Sequence, residues 1–414
     1  MKDDLLFLDL FAGAGGLSEG FVRAGFFPIA HVESDKAACF TLKTRMTYHW
    51  LKEKGKEEVY WKYLEEKIDR DTLYSCAPER HTKSVLNEEI SESSLEQIFQ
   101  SVDSLLDGRR LNLIIGGPPC QAYSIVGRSR DQNRMQGDKR NYYYRFYSQF
   151  LDRYNPECFV FENVVGLLSA KDESGSLYLD DMIAAFREVG YETEYRTLSA
   201  EEYGVPQARK RVILIGKKGK DVGFYPEFKK EQNQLSVNDI LSDLPKLSAG
   251  EGKLGLSSLE GHAEKKKSSR VTLHKSRPNT DRDLKIYKIA AEMWEQDNLR
   301  LNYKDLPSDL KTHNNQTSFL DRFKVVAGDS YHSHTVVAHI AKDGHYYIHP
   351  DTAQNRSLTP REAARLQTFP DDYHFESVSG KLSQTPAFQQ IGNAVPVVLA
   401  EKIAGGVKEL ISDE

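Results

Sequence analysis

Leu5-Leu6-Phe7-Leu8-Asp9-Leu10-Phe11-Ala12-Gly13-Ala14-Gly15-Gly16 is the stretch that decides the fold. Its first half is short, apolar and followed at once by glycines, which reads as a buried strand running into a tight turn. Ser18 to Ala24 then reads as the start of a helix, and Ile29-Ala30-His31-Val32-Glu33 as a second strand with an acid at its end. Strand, glycine turn, helix and acid-ended strand open a dinucleotide-type α/β fold. Glycines in such a turn let a ligand approach the backbone, and the helix N-terminus behind them favours negative charge. Glycine-rich turns occur in many folds, so Glu33 matters: a carboxylate there can accept hydrogen bonds from both hydroxyls of a ribose. The turn lacks the full G-x-G-x-x-G, which suits a ligand without a pyrophosphate.

The same rhythm recurs downstream. Leu111-Asn112-Leu113-Ile114-Ile115 precedes Gly116-Gly117, Cys158-Phe159-Val160-Phe161 precedes Glu162, and Arg211 to Ile215 is another β-rich run. Strands alternating with helical stretches predict a parallel sheet with functional loops at the strands' carboxyl ends. Two regions break the pattern. Tyr48 to Leu86 is highly charged and reads as an inserted helical excursion. From about Gly219 to Asp329 the alternation is lost, and Gly250 to Ser269, rich in Gly, Ser and Lys, reads as a mobile loop inside a second domain.

Bulk properties narrow the class. A chain of 414 residues suits two domains or one large domain carrying an insertion, and its 39% hydrophobic content still allows a substantial core. No apolar run is long enough to cross a bilayer, and no basic-then-apolar leader is visible. Cys39, Cys76, Cys120 and Cys158 are too scattered for a zinc site or a disulfide framework, so a reducing, cytoplasmic setting is expected. Net charge is −5, which argues against indiscriminate binding to nucleic acid. Ile213 to Asn355 nevertheless holds 22 Lys and Arg against 19 Asp and Glu, and eight of the twelve histidines. A solvated surface explains that balance nearly as well as a DNA face does. His332, His334, His339, His345 and His349 lack the spacing of metal ligands.

Gly116-Gly117-Pro118-Pro119-Cys120-Gln121 carries the chemistry. A cysteine directly after two prolines at a strand end sits on a rigid turn, whereas a structural cysteine usually lies within an apolar run. Such a loop can present a thiolate, the reactive form of the side chain. Phe161-Glu162-Asn163-Val164 sets a carboxyl at the end of a neighbouring strand, where it can cap a helix or, beside a nucleophile, act as a general acid. In Gln207-Ala208-Arg209-Lys210-Arg211 the two arginines alternate, so an extended backbone points both one way, towards a base carbonyl, a phosphate or a carboxylate.

In this order, these segments closely resemble the motif series of the cytosine-C5 DNA methyltransferases of restriction–modification type. The match continues with Arg356-Ser357-Leu358-Thr359-Pro360-Arg361-Glu362-Ala363-Ala364-Arg365-Leu366-Gln367 and Gln390-Ile391-Gly392-Asn393-Ala394-Val395-Pro396. It spans residue 5 to about residue 405.

The resemblance implies a Rossmann-like, S-adenosylmethionine-dependent catalytic domain (1–220 and 385–414) and a smaller, mostly irregular or β target-recognition domain (221–384), with a cleft between them. It implies Cys120 as the nucleophile on C6 of a flipped-out cytosine and Glu162 as the group that holds and protonates the ring. Arg211 and, less directly, Arg209 would support the base and that carboxylate. Contacts to S-adenosylmethionine carry over to Phe11, Ala14, Gly16, Glu33, Pro119, Asn393 and, after Arg140-Asn141, to Tyr143. The family's Asp-Ile at the third strand end has its best match here in Glu89-Ile90, and a longer carboxylate could still accept a bond from the adenine amine. Thr335-Val336-Val337 resembles the short threonine anchor of the recognition region. The implied partners are double-stranded DNA and a cognate restriction endonuclease, with the enzyme itself a monomer. A tRNA cytosine-C5 methyltransferase would carry a Cys-Phe-Thr signature, and no cysteine follows Cys158. A catalytically dead DNA-binding regulator would not be expected to keep Cys120, Glu162 and Arg211.

Overall fold

Alternation within strand β1 (Leu5–Leu10) sends Leu6, Leu8 and Leu10 to one face of a sheet and Phe7 to the other, and each face buries a separate core. The computed structural model describes residues 5–119, 142–172, 174–219, 222–258, 270–313, 317–318 and 320–412. Behind β1 come helix α1 (Gly16–Arg23) and strand β2 (Phe26–Glu33). Helix α2 (Lys36–Glu53) leads into the inserted stretch, Tyr48 to Leu86, which is helical as its sequence predicts through α3 (Glu57–Leu64), α4 (Arg70–Ser75) and α5 (Arg80–Lys83) and ends in the short strand β3 (Val85–Asn87). Asp35 starts α2 by accepting a hydrogen bond from the Ala38 amide, the usual way an exposed helix N-terminus is satisfied. Next come α6 (Leu95–Leu106), β4 (Leu113–Gly116), α7 (Tyr143–Tyr154), β5 (Cys158–Asn163), α8 (Tyr178–Glu188), β6 (Tyr191–Ser199) and β7 (Lys210–Lys218).

The seven strands form one sheet in the order β3-β2-β1-β4-β5-β7-β6. The first five run parallel, so Leu10, Glu33, Asn87, Gly116 and Asn163 all end at one edge. Chain order reverses between β1 and β4, and ligands of open α/β sheets bind in the crevice above such a reversal. The sheet is not wholly parallel: β7 pairs antiparallel with both β5 and β6. Only residues 200–209 link β6 to β7, too few for the crossover that a parallel pair needs. This matters for function, because β7 begins where β5 ends: Val212 lies opposite Asn163 and Ile213 opposite Glu162.

Beyond β7 the chain is mostly irregular, with α9 (Val237–Leu241), α10 (Asp281–Asp297), α11 (Pro360–Leu366), α12 (Gln384–Asn393) and α13 (Val397–Ser412). Thr359 and Glu362 form a reciprocal capping box on α11, with Pro360 in its first turn. The Gly-, Ser- and Lys-rich loop rises from two short antiparallel ladders, Gly252–Lys253 with His274–Lys275 and Ser257–Ser258 with Arg270–Val271; residues 259–269 lie outside the described residues. One core joins Val237, Val271, Val336, Leu366 and Phe375 to Ala387 and Ile391 of α12 and to Ala14 of the glycine turn. A second, smaller one gathers Ile286, Tyr287, Leu301, Phe323 and Ile348. No helix long and apolar enough to cross a membrane occurs among the described residues.

Candidate active site

The carboxyl edge of the sheet surrounds a cavity of about 710 Å³. Phe11, Gly13, Ala14 and Gly16 supply the glycine-turn wall, and Glu33 reaches in from the end of β2. Gly13 donates its amide to Glu33 Oε2 at 2.7 Å and Asp35 donates its amide to Glu33 Oε1 at 2.7 Å, which fixes the carboxylate towards the turn. Burial nevertheless pushes the Glu33 carboxyl up from its ordinary value. Gly13, at a φ of +55°, has open space where a side chain would start, with no described atom within 4 Å. Gly15 and Gly16 differ. A Cβ would lie 2.9 Å from Tyr373 Oη at Gly15 and 2.4 Å from the Val395 carbonyl oxygen at Gly16. The protein's own packing therefore demands the later two glycines, while the first leaves room for a ligand.

Glu89 and Ile90, which follow β3, reach the same cavity. Tyr143 donates its hydroxyl to Glu89 Oε1 at 3.1 Å, and its ring lies 5.2 Å from that of Phe11, so the two aromatics stand as neighbouring walls. Asn393 closes the cavity from the end of α12 and Pro119 from the loop after β4. At the floor, Asp9 is almost wholly buried, and no cation pairs with its carboxyl group among the described residues. Desolvation, reinforced by the charge of Glu33, raises its carboxyl well above the usual range. A cationic group would relieve that burial. A cavity walled by Phe11, Tyr143 and Ile90 and edged by Asp9, Glu33 and Glu89 thus fits a nucleoside bearing a positively charged arm, as S-adenosylmethionine does.

The second half of the site lies between β5 and β7. Glu162 Oε1 and Arg211 Nε are 2.6 Å apart, both side chains are mostly buried, and both line the same cavity. A Cβ on Gly117 would come within 2.6 Å of Glu162 Oε2, so that glycine makes room for the carboxylate. Asn163 donates its side-chain amide to the Pro118 carbonyl, tying the end of β5 to the Gly-Pro-Pro loop. Cys120, the expected nucleophile, lies outside the described residues, as do Gln121, Arg140 and Asn141.

Arg209 is buried elsewhere. Its guanidinium donates to the carbonyls of Val336 at 2.7 Å and Gly392 at 3.3 Å. Gln207 accepts from the Val336 amide and donates to the Leu366 carbonyl, while Ser333 exchanges backbone hydrogen bonds with Pro206 and Ala208. Thr335 donates its hydroxyl to the Ala208 carbonyl. The arginine pair that the sequence presents as one unit therefore sends Arg211 to the acid and Arg209 to the junction with residues 333–337.

The sequence model of C-5 cytosine-specific DNA methylases matches residues 5–78 and 78–409. The chain belongs to that family. The methylase is 40% identical over 452 residues to the type II methyltransferase M.Bpa9945I of Bacillus paralicheniformis, covering 99% of both chains. It is 30% identical to the type II methyltransferase M.DdeI of Desulfomicrobium norvegicum, over 96% of this chain and 87% of that one. In fold it is similar to the crystal structure of a protein named as a DNA modification methyltransferase encoded within an Escherichia coli prophage. That likeness has a TM-score of 0.63 at 21% identity, over 99% of this chain and 100% of the other. The methylase is thus a DNA cytosine-C5 methyltransferase with a Rossmann-like α/β fold.

The methylase's cavity has one more wall, which no sequence motif marks directly. Ala338, His339 and Lys342 reach it from the short helical turn Ala338–Ala341, which packs on α12. The signal was Gly392: a Cβ there would fall 2.2 Å from the Ala338 amide nitrogen, so a glycine mid-motif marks a close backbone crossing. The neighbouring histidines take other roles. His334 hydrogen-bonds the Tyr346 carbonyl, His345 the Tyr287 hydroxyl, and His349 faces Glu362.

Proposed function

We propose that this enzyme transfers the methyl group of S-adenosylmethionine to C5 of a cytosine flipped out of a specific duplex DNA sequence, through a covalent bond between Cys120 and C6. The observation that carries the reading is the single cavity shared by Glu33 on one side and the Glu162–Arg211 pair on the other. Phe11, Ala14, Gly16, Glu33, Glu89, Ile90, Pro119, Tyr143 and Asn393 hold the methyl donor. When bound, S-adenosylmethionine supplies an electrophilic methyl group, which an activated C5 accepts.

The chain's own groups create that activation. C5 of cytosine is a poor nucleophile, and addition at C6 converts it into an enamine carbon. Cys120, as thiolate, forms the bond to C6 while Glu162 gives a proton to N3 and holds the exocyclic amine, so the electron pair displaced from C6 is delivered to C5. Arg211 keeps the Glu162 carboxyl in place and supports the base. Arg209 acts less directly, by fixing the recognition segment against α12. Loss of the C5 proton to a solvent base, with return of the N3 proton to Glu162, then re-forms the C5–C6 double bond and expels Cys120 as thiolate. The thiol cannot reach C6 inside the stack, so the base must leave it. Residues 221–384 choose the sequence, and 1–220 with 385–414 carry the chemistry. The enzyme acts as a cytoplasmic monomer. It is paired with an endonuclease that cuts the same site, a pairing supported by the type II methyltransferases among its relatives.

Transfer of labelled methyl groups to duplex DNA and to tRNA, together with bisulfite sequencing of DNA from expressing cells, tests this. DNA label at C5 of one recurring sequence, lost in Cys120→Ser, is the expected outcome. Label in tRNA, or full turnover by the serine variant, overturns it.

A further inference from the structure

We infer that Tyr373 is a positioning residue for the methyl donor: its buried hydroxyl sets the wall of the donor cavity from within the recognition half of the chain. The inference rests on the reading of that cavity as the S-adenosylmethionine site. Tyr373 is 1% exposed and donates its hydroxyl to the Ala14 carbonyl at 2.5 Å. Ala14 lines the cavity, so this bond fixes the peptide plane between a wall residue and Gly15. Gly15, at a φ of +80°, is the residue that leaves space for the phenol oxygen. Phe369, four residues before Tyr373, places its Cζ 3.3 Å from where a Gly16 side chain would begin. The glycine turn is thus shaped from outside by residues 369–373.

Those residues are held rigidly from two directions. The Arg361 side chain, wholly buried, donates to the carbonyls of Tyr373, Pro370 and Thr272 at 2.8, 3.1 and 3.0 Å, linking the segment to the base of the Gly-, Ser- and Lys-rich loop. On the other side the Arg45 guanidinium lies between two rings, 4.7 Å from Tyr373 and 4.6 Å from Tyr48, and pairs with Glu19 of α1 and with Asp372. A cation between two aromatic faces and two carboxylates has little freedom, so the Tyr373 ring has little either. Small changes in a peptide plane lining a binding site are felt as affinity, because the ligand's partners must already be in place.

The test is titration of S-adenosylhomocysteine into the full chain and its variants, with KM measured separately for the donor and for DNA. Tyr373→Phe keeps the ring and removes the hydroxyl. It should raise the Kd and the donor KM roughly three- to tenfold, the range for one lost hydrogen bond, while KM for DNA stays within twofold. Tyr191→Phe is the control. It loses an equally buried phenol bond, to the Pro156 carbonyl at 2.6 Å, at the opposite edge of the sheet. It should lower the melting temperature to a similar degree and leave the Kd unchanged. An unchanged Kd in Tyr373→Phe, or equal weakening in both variants, overturns the inference. Glu33→Ala separates the two readings. If it too leaves the Kd unchanged, the cavity assignment itself has failed; if only Tyr373→Phe does, the cavity stands and the positioning role falls.

Discussion

Arg211 meets Glu162 at 2.6 Å across strands that run in opposite directions. A parallel β7 would have carried its first residues to the far edge of the sheet. The antiparallel return instead brings Lys210–Val212 to the one edge where β1, β2, β4 and β5 all end, and so the cation arrives beside the acid.

The pair predicts a kinetic signature. Arg211→Ala frees Glu162 without touching the donor wall, so kcat should fall about a hundredfold, the scale of a misplaced general acid. The Kd for S-adenosylhomocysteine should stay within about twofold, less than the loss of one hydrogen bond. Gly117→Ala should copy the defect from the other side, because its methyl would press on Glu162 Oε2. Single-turnover kinetics and calorimetry together check both, and a Kd that moves as much as kcat would count against the division.

Glu33 gives a second expectation. Its carboxylate is already anchored by the amides of Gly13 and Asp35, so it is preorganised for further donors. Glu33→Ala should weaken S-adenosylhomocysteine binding by roughly 1.5–3 kcal/mol, the range for hydrogen bonds to a charged group. An unchanged Kd by calorimetry would place the ribose elsewhere.

His31 makes stability depend on pH. It is fully buried, its Nε2 lies 2.8 Å from Ser18 Oγ, and burial pushes its pKa from 6.5 down to about 3. The unfolded chain therefore takes up a proton at a pH where the folded chain does not. Its contribution is fully present above pH 6.5 and is lost as pH falls towards 3. At pH 4 the loss should be about 3 kcal/mol. Denaturation of wild type and His31→Gln at pH 7 and pH 4 checks this through the difference between the two pH values, which cancels any constant cost of the substitution. Parallel losses in the two proteins would refute it.

Specificity is the fourth prediction. Grafting residues 221–384 onto the catalytic half of a related enzyme with another target should transfer this protein's target, read by bisulfite mapping. Its lysines and arginines should make binding salt-sensitive without setting sequence. Persistence of the host's target would move recognition into the catalytic half, with the α3–α5 insertion the first place to look.

Much of the site was legible because the chemistry sits at strand ends, and strand ends can be read from an apolar run followed by glycine, proline or an acid. Glu33, Glu162 and Pro119 are of that kind, and Glu89-Ile90 follows a strand of only three residues yet still reaches the cavity. Direction was not legible: β7 looks the same in sequence whether it runs up or down, and only the short link from β6 decides. Nor was the division of labour between Arg209 and Arg211, because alternation along a strand says nothing about residue 209, which precedes it. Gly15 and Gly16 read in sequence only as part of a ligand-binding turn, and they also make room for Tyr373 and Val395, more than 350 residues away.

The junction around Val336 carries one more implication. Arg209 and Gln207 grip residue 336 by its main-chain carbonyl and amide, Ser333 is held through its backbone, and Gly392 abuts the backbone of residues 337–338. A grip on main-chain atoms does not depend on which side chains the gripped segment carries. The exposed side chain of Val337 can therefore change while docking persists. An enzyme built this way can acquire a new target by changing outward-facing residues one at a time, without passing through forms whose two halves no longer fit.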